Sequence, residues 1–273
     1  MRVSPAEKIA NYVLLVAFAA FALAPILSIV VAALGPPDTG EQTASLLGVH
    51  PGNFAEAWRI GHFGTYLRTS LLVSVIVVLV SVVLSIMAGY ALGALRFRGA
   101  GVVLSLFLLG MMMPNEVVVV PLYFDLRALH LTDTLWAVVL PQIAQSVAFG
   151  TYWMRAYFRS ANRSVVEAAR LDGAGHWRTL WLILVPLARP AIVTLTVLVF
   201  MWTWNEFLIP LVMVTAESLR TAPLGLAFFQ GQYTQGFTLL AAGACIVATP
   251  VALLYVFLQR HFIAGMLEGA VRE

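Results

Sequence analysis

Six long stretches of this chain carry almost no charge. Ile9–Leu34 and Thr69–Leu95 are charge-free over 26 and 27 residues. Val102–Asn115 is charge-free and continues past Glu116 to Phe124, and Leu135–Met154 follows. Ala191–Asn205 runs on past Glu206 to Val214, and Phe237–Gln259 is the last. A helix rises about 1.5 Å per residue, so roughly 20 apolar residues cross a bilayer core. Backbone amides in lipid must bond within their own segment, which makes each run a helix. The alternation of a membrane barrel, in segments of about ten residues, is absent. The chain is 61% hydrophobic and only 11% charged, against about 25% charged in soluble domains. That composition excludes an ordinary soluble enzyme, and the abundance of apolar residues excludes a disordered chain.

The expected fold is therefore an all-α integral membrane protein with six transmembrane helices. The spans lie near 9–34, 69–95, 102–124, 135–158, 191–214 and 237–262, within a single transmembrane domain over 1–273. The first run exceeds the 7–15-residue core of a signal peptide, so an uncleaved first helix is expected. Twelve of the 16 basic residues fall on the side that holds both termini; only Arg59, Arg68, Arg127 and Arg220 fall opposite. By the positive-inside rule both termini are expected in the cytoplasm. A net charge of +3 is too small to point to nucleic acid. Cys245 stands alone in an apolar run and suits packing. The five histidines are scattered without metal-ligand spacing, so no metal is expected.

Among the loops, Arg155–Arg189 differs in kind. It spans 35 residues and holds six arginines, more than a turn requires. Ser164 followed by Glu167 fits a capping box, after which Ala168, Ala169, Arg170 and Leu171 suit a helix. Glu167 equally suits that structural role alone. Asp172-Gly173-Ala174-Gly175 breaks the pattern, and a second helical stretch, His176–Val185, is expected to end at Pro186. The result is a helix–turn–helix over 159–189. Its small residues would let another surface approach the backbone closely, as in a docking socket. An amphipathic helix lying on the inner leaflet fits the tryptophans and arginines as well.

Polar residues inside spans are expensive and face protein or water. Asn115, Glu116, Gln142, Gln145, Asn205 and Glu206 are the candidates. Glu116 and Glu206 are expected near the outer ends of broken or short spans. Trp204 is a candidate for stacking on a solute ring, while Trp202 suits packing or an interfacial belt better. The outer loop Thr215–Gly236, with Phe228, Phe229, Gln230 and Tyr233, suits either a protein contact or the membrane surface.

The segment Glu167-Ala168-Ala169-Arg170-Leu171-Asp172-Gly173-Ala174, with Ile183-Leu184-Val185-Pro186-Leu187 after it, resembles the EAA loop of bacterial ABC importer membrane subunits. The nearest resemblance is to the maltose-type carbohydrate-uptake permeases. Met113-Pro114, Val120-Pro121-Leu122-Tyr123, Trp204-Asn205-Glu206-Phe207 and Gly269-Ala270-Val271-Arg272 extend it over nearly the whole chain. The family often has Asn before Ser70-Leu71, where this chain has Thr69, a proline a few residues before the glutamate, where this chain has Asn162 in that region, and Leu where it has Val185.

The resemblance implies a bacterial cytoplasmic-membrane permease that pairs with a second, homologous permease subunit. It implies two cytoplasmic ABC ATPases, which use ATP and Mg, and an extracytoplasmic solute-binding protein. Glu167, Ala168, Ala169, Asp172, Gly173, Ala174 and Pro186 would form the ATPase-coupling element, and the tail Gly269–Arg272 would reach the ATPases. Asn115, Trp204, Asn205 and Glu206 would line the solute pathway. The chain would bind no cofactor and would not itself be an enzyme. The sequence independently lacks a G-x-x-x-x-G-K-[ST] phosphate loop. The competing class is an ion-gradient-driven secondary transporter, which usually shows midspan ionisable groups and repeated halves; neither is visible here.

Overall fold

The computed structural model describes residues 4–36, 48–160, 163–232 and 236–270. Those residues form helices and connections, with no strand among them. They divide into two compact units, Met1–Gly64 with Gly225–Thr249, and Thr65–Leu224 with Pro250–Glu273.

In the first unit, helix α1 (Pro5–Ala33) starts at a capping box. The Glu7 amide donates to Ser4 Oγ at 3.2 Å, and the Ser4 amide donates to Glu7 Oε2 at 2.8 Å. Two of the orphan amides of the first turn are thereby satisfied. The apolar side chains of α1 stand on the surface of the chain along its length, Phe21 being 81% exposed. Helix α2 (Gly52–Ile60) lies inside what the sequence suggests is an open outer loop. It is held to the end of α1 by Asn53. This buried amide donates to Ala33 O and Gly35 O, both at 2.9 Å, and so closes carbonyls that the helix C-terminus leaves open. The start of helix α3 (Phe63–Ala94) anchors this unit: Phe63 is fully buried and meets Phe229 of helix α11 (Ala222–Gln232) edge-on at 5.2 Å.

In the second unit, helix α6 (Leu135–Ser160) is the hub. It packs against α4 (Ala100–Met112), α9 (Arg189–Asn205) and α10 (Leu208–Met213). The core joins Val73, Val77 and Ile86 of α3 to Val138, Met154 and Phe158 of α6 and Leu195 and Val199 of α9. Ser85, Gly89 and Gly93 form one face of α3, spaced by four residues. A Cβ at Gly89 would lie 2.6 Å from Met154 Cβ and 2.9 Å from the Arg155 amide nitrogen. Small residues set this close helix approach, as is common in membranes.

Among the described residues three helices are long and apolar enough to cross a bilayer, within Glu7–Ala33, Phe63–Ala94 and Phe237–Phe257. The last belongs to helix α12 (Phe237–Ala270). Two bent pairs bring the number to five if each is one span. Helix α6 coincides with the expected fourth span but is less apolar, because it carries Gln142, Ser146 and Thr151 buried against protein.

The third expected span, 102–124, is not one helix. It breaks into α4 and α5 (Asn115–Ala128), bent by 101°. Pro114 accounts for this: it has no amide to donate, and its ring pushes Met113 out of helical geometry to φ −78°, ψ 123°. The fifth expected span, 191–214, likewise breaks after Asn205. Glu206 is extended, and α10 restarts at Leu208. Both glutamates flagged in the sequence therefore stand at breaks, Glu116 in the first turn of α5 and Glu206 beyond the end of α9.

Asp133, in the connection between α5 and α6, clamps the segment after α10. Its carboxylate accepts from the Ala216 amide at 2.8 Å and the Thr215 amide at 2.9 Å, while its own amide donates to Met213 O. Those amides, Ala216 foremost and then Thr215, hold the carboxyl below its ordinary value of 3.8. A lowered folded-state value stabilises above the unfolded one and loses that contribution as pH falls through the folded one. Asp133→Ala is therefore expected to lower the melting midpoint of the detergent-purified protein at neutral pH. The gap to wild type should begin to narrow as pH falls below about 3.8 and close only below the lowered folded-state value. A gap that persists unchanged at pH 3 would count against the clamp.

Candidate functional site

The 159–189 region forms two helices around one tight turn. Helix α7 (Arg163–Leu171) already includes Ser164 in its first turn. The backbone of Ser164 is thus helical, its side chain lies outside what the structure describes, and Glu167 is exposed. Asn162 lies outside the described residues. Ala169 is 4% exposed and holds α7 to the fold, whereas Ala168, Asp172 and Gly173 are exposed and Ala174 is half-buried.

The chain reverses at Gly173, whose φ is +78°. The Ala174 amide donates to Ala169 O at 2.9 Å, the six-to-one bond that closes a helix with glycine at C′. A side chain here would pay backbone strain, although nothing of this chain lies within 4 Å of the position a Cβ would take. The space beside Gly173 is therefore open for another molecule.

Helix α8 (His176–Leu187) follows and bends by 80° into α9. It contains a π-helical stretch, Thr179–Leu184, immediately before Val185 and Pro186. The sequence reading ended this helix at Pro186, but it continues to Leu187. The proline ring would press on the carbonyl four residues earlier, at Leu182, and the wider π turn accommodates it. Pro186 is exposed.

Two groups tie α8 to the spans, and a third ties the start of α9 to α6. Tyr90 Oη lies 3.3 Å from His176 Nδ1, Tyr157 Oη donates to Leu187 O at 2.8 Å, and Trp153 Nε1 donates to Ala191 O at 3.0 Å. Leu171, Trp177 and Leu182 stand 89%, 63% and 70% exposed, an apolar surface on a charged loop of the kind that marks an interaction site.

The second feature is a cavity of about 560 Å³ lined by α6, α9 and the broken ends of α4 and α5, within the range of small-molecule sites. Asn115, Asn205 and Glu206 line it, together with Gln142, Gln145, Phe149 and Trp202. Gln145 Nε2 donates to Asn115 Oδ1 at 2.6 Å, joining α6 to the first residue after the α4–α5 break. Glu206 Oε1 accepts from the Ile209 amide at 3.0 Å and caps α10.

Trp204 is not among the lining residues. It is 2% exposed and stacked on Phe200 at 5.5 Å. Trp202, which the sequence suggested as belt or packing, lines the cavity and meets Phe149 edge-on at 4.7 Å. The two positions differ by two residues and so point about 200° apart on a helix, a phase that hydrophobicity alone does not reveal.

Of the outer-loop residues, Phe229 is fully buried and Phe228 is 39% exposed. Tyr233 and the tail residues Val271 and Arg272 lie outside the described residues. Among the described residues no group of three or more His, Cys, Asp or Glu is close enough to hold a metal.

Residues 81–267 match the family model described as binding-protein-dependent transport system inner membrane component. The chain belongs to that family. As such a component it is a transporter subunit and a multi-pass protein of the cytoplasmic membrane. The permease is 31% identical to an arabinooligosaccharides transport system permease protein of Halalkalibacterium halodurans, over 94% of both chains. It is 32% identical to a trehalose transport system permease protein of Mycobacterium tuberculosis, over 92% of this chain and 93% of that one. Its fold matches a chain in the crystal structure of a bacterial ABC transporter involved in the import of the acidic polysaccharide alginate. The TM-score is 0.79 at 25% identity, covering 96% of the permease and 99% of that chain.

The two tryptophans separate core packing from cavity lining. Trp204→Ala is expected to cost the permease about 3–5 kcal/mol of stability, as for a buried aromatic. Trp202→Ala should leave the thermal midpoint within a few degrees and weaken transport instead. Thermal unfolding in detergent and uptake by the assembled transporter, run on both variants, check the split; equal destabilisation by both would contradict it.

Proposed function

We propose that this permease is one of two homologous membrane subunits of an ATP-driven, binding-protein-dependent importer that moves a carbohydrate or related polyol into the cytoplasm. The carbohydrate assignment rests on the arabinooligosaccharide and trehalose systems named for its relatives and on the alginate importer that shares its fold. The cavity chemistry agrees with it: carboxamides and an aromatic edge suit a polyhydroxyl ring better than an inorganic ion.

The observation that carries the coupling is the helix–turn–helix built around Gly173. Glu167, Ala168, Asp172, Gly173 and Ala174 form its accessible crest, Ala169 fixes it from beneath, and Pro186 shapes the helix that leads back to α9. In this reading each permease seats that crest on one of two cytoplasmic ABC ATPases. Those separate subunits bind ATP and Mg and hydrolyse the nucleotide. Closure of the ATPase pair displaces α7 and α8 as a rigid body. Tyr90, Tyr157 and Trp153 then pass the displacement to α3, α6 and α9 through the contacts described above. Asn115, Asn205 and Glu206, with Trp202, contact the solute where the helices are broken. A solute-binding protein delivers it on the outer side, and both termini face the cytoplasm.

The test is uptake by the permease co-assembled with its partner permease and ATPases in vesicles loaded with ATP. Uptake is expected to need ATP and the binding protein and to survive a protonophore. Uptake without any ATPase that collapses with the proton or sodium gradient would establish the secondary transporter instead.

A further inference from the structure

The cavity has a charge and hydrogen-bond character more specific than its size. Among its lining residues there is no lysine, arginine or histidine; the single ionisable group is Glu206. Its amides are also oriented. Gln142 Nε2 donates to Val138 O at 3.1 Å, and Asn205 Nδ2 donates to Met201 O at 2.7 Å. A backbone carbonyl only accepts, so these bonds fix which end of each amide is nitrogen. Gln142 Oε1 and Asn205 Oδ1 are left as the acceptors for another molecule. Glu206 adds a second carboxylate oxygen beyond the one that caps α10. The cavity thus offers fixed acceptors beside the remaining amide N–H groups, and Glu206 as a carboxyl with no cationic side chain in the lining to pair it or a second anion.

Hydroxyl groups can donate to every one of those oxygens. A carboxylate, sulfonate or phosphate only accepts, and it would enter beside Glu206 with no cation to compensate, at a cost in desolvation and repulsion. We infer that this half of the transporter selects uncharged polyhydroxyl solutes and rejects uronate-bearing or otherwise anionic ones. This distinguishes it from the alginate importer whose fold it shares, since alginate is an acidic polysaccharide. The inference rests on the reading of the cavity as the solute contact.

The test omits the binding protein, so that its selectivity does not enter. The complete assembly of both permeases and both ATPases, in nanodiscs, is equilibrated with a mixture of neutral xylo-oligosaccharides and the uronate-substituted members of the same lengths. Retained sugars are quantified by mass spectrometry. Neutral members are expected to be enriched at least tenfold over uronate-bearing ones. Glu206→Gln, which keeps an oxygen to cap α10, should narrow that ratio several-fold, and Gln142→Arg should narrow it further or invert it. Equal retention of both classes by the unaltered assembly overturns the selectivity but leaves the carbohydrate reading intact. A ratio that neither substitution moves overturns the assignment of selectivity to this cavity. Retention of no oligosaccharide at all overturns the carbohydrate reading and this inference with it.

Discussion

Gly173→Asp is expected to abolish solute uptake while the permease still inserts into the membrane and assembles with its partner. Two effects combine at this position. The backbone there is left-handed, at φ +78°, which costs an L-residue roughly 1–2 kcal/mol. The new carboxylate would also stand on the exposed crest between Asp172 and Ala174. Nothing in this chain crowds the site, so the folded permease tolerates the side chain, whereas an ATPase seated there, as proposed above, would not. Loss of about 1.4 kcal/mol of docking energy is a factor of ten, and uptake should fall by at least that much. Gly173→Ala adds a single methyl group and should retain more transport than the aspartate variant. Membrane yield, ATPase activity and uptake measured together separate the cases. Wild-type uptake by Gly173→Asp would remove Gly173 from the coupling surface.

Gly89→Leu is expected to have the largest effect on folding. Its Cβ would fall 2.6 Å from Met154 Cβ and 2.9 Å from the Arg155 amide nitrogen. Neither is the flexible end of a side chain, so relief requires α3 and α6 to separate. Overpacking usually costs about 1–3 kcal/mol, and a leucine against backbone should exceed the upper end of that range. The flanking contacts would be lost with it, since a Cβ at Gly93 would lie 3.0 Å from Arg155 O and Ser85 packs against Gly150. Little folded protein should reach the membrane. Gly89→Ala supplies the graded version, expected to accumulate with a melting midpoint lowered by several degrees. A Gly89→Leu protein that purifies with an unchanged midpoint would contradict the packing account.

Long-range apolarity made much of this fold readable. Helices α1, α3 and α12 begin and end within a few residues of the apolar runs, apart from α3, which starts six residues before Thr69, and α12, which continues to Ala270. Apolarity is blind to direction, however. The runs through Met113-Pro114 and Asn205-Glu206 are continuous in hydropathy and broken in space. The signal that marks the first break is chemical, a proline whose predecessor cannot be helical. The small helix α2 was hidden by the glycines and prolines around it.

The turn at Gly173 was legible because Asp-Gly has few conformational alternatives. The cavity was partly so: Asn115, Asn205 and Glu206 stood out as polar groups in apolar surroundings, but Trp202 and Trp204 differ only in helical phase. The Asp133 clamp was not legible at all, since its partner amides lie 82 and 83 residues away in the chain and carry no side-chain signature.

The π-helical turn at Thr179–Leu184 has a consequence for how this loop tolerates change in length. Such a turn is an α-helix carrying one surplus residue. Removing one residue from 179–184 would let the segment relax to ordinary α-geometry. Everything on its N-terminal side would then keep about its present azimuth relative to α9, because the wide turn had absorbed the surplus residue locally. A deletion in the flanking α-helical residues would instead turn the crest at Gly173 by about 100° with every one of its own residues intact. The π turn is thus a place where the spacing between the glycine and the proline can shorten by one residue without changing the aim of the crest.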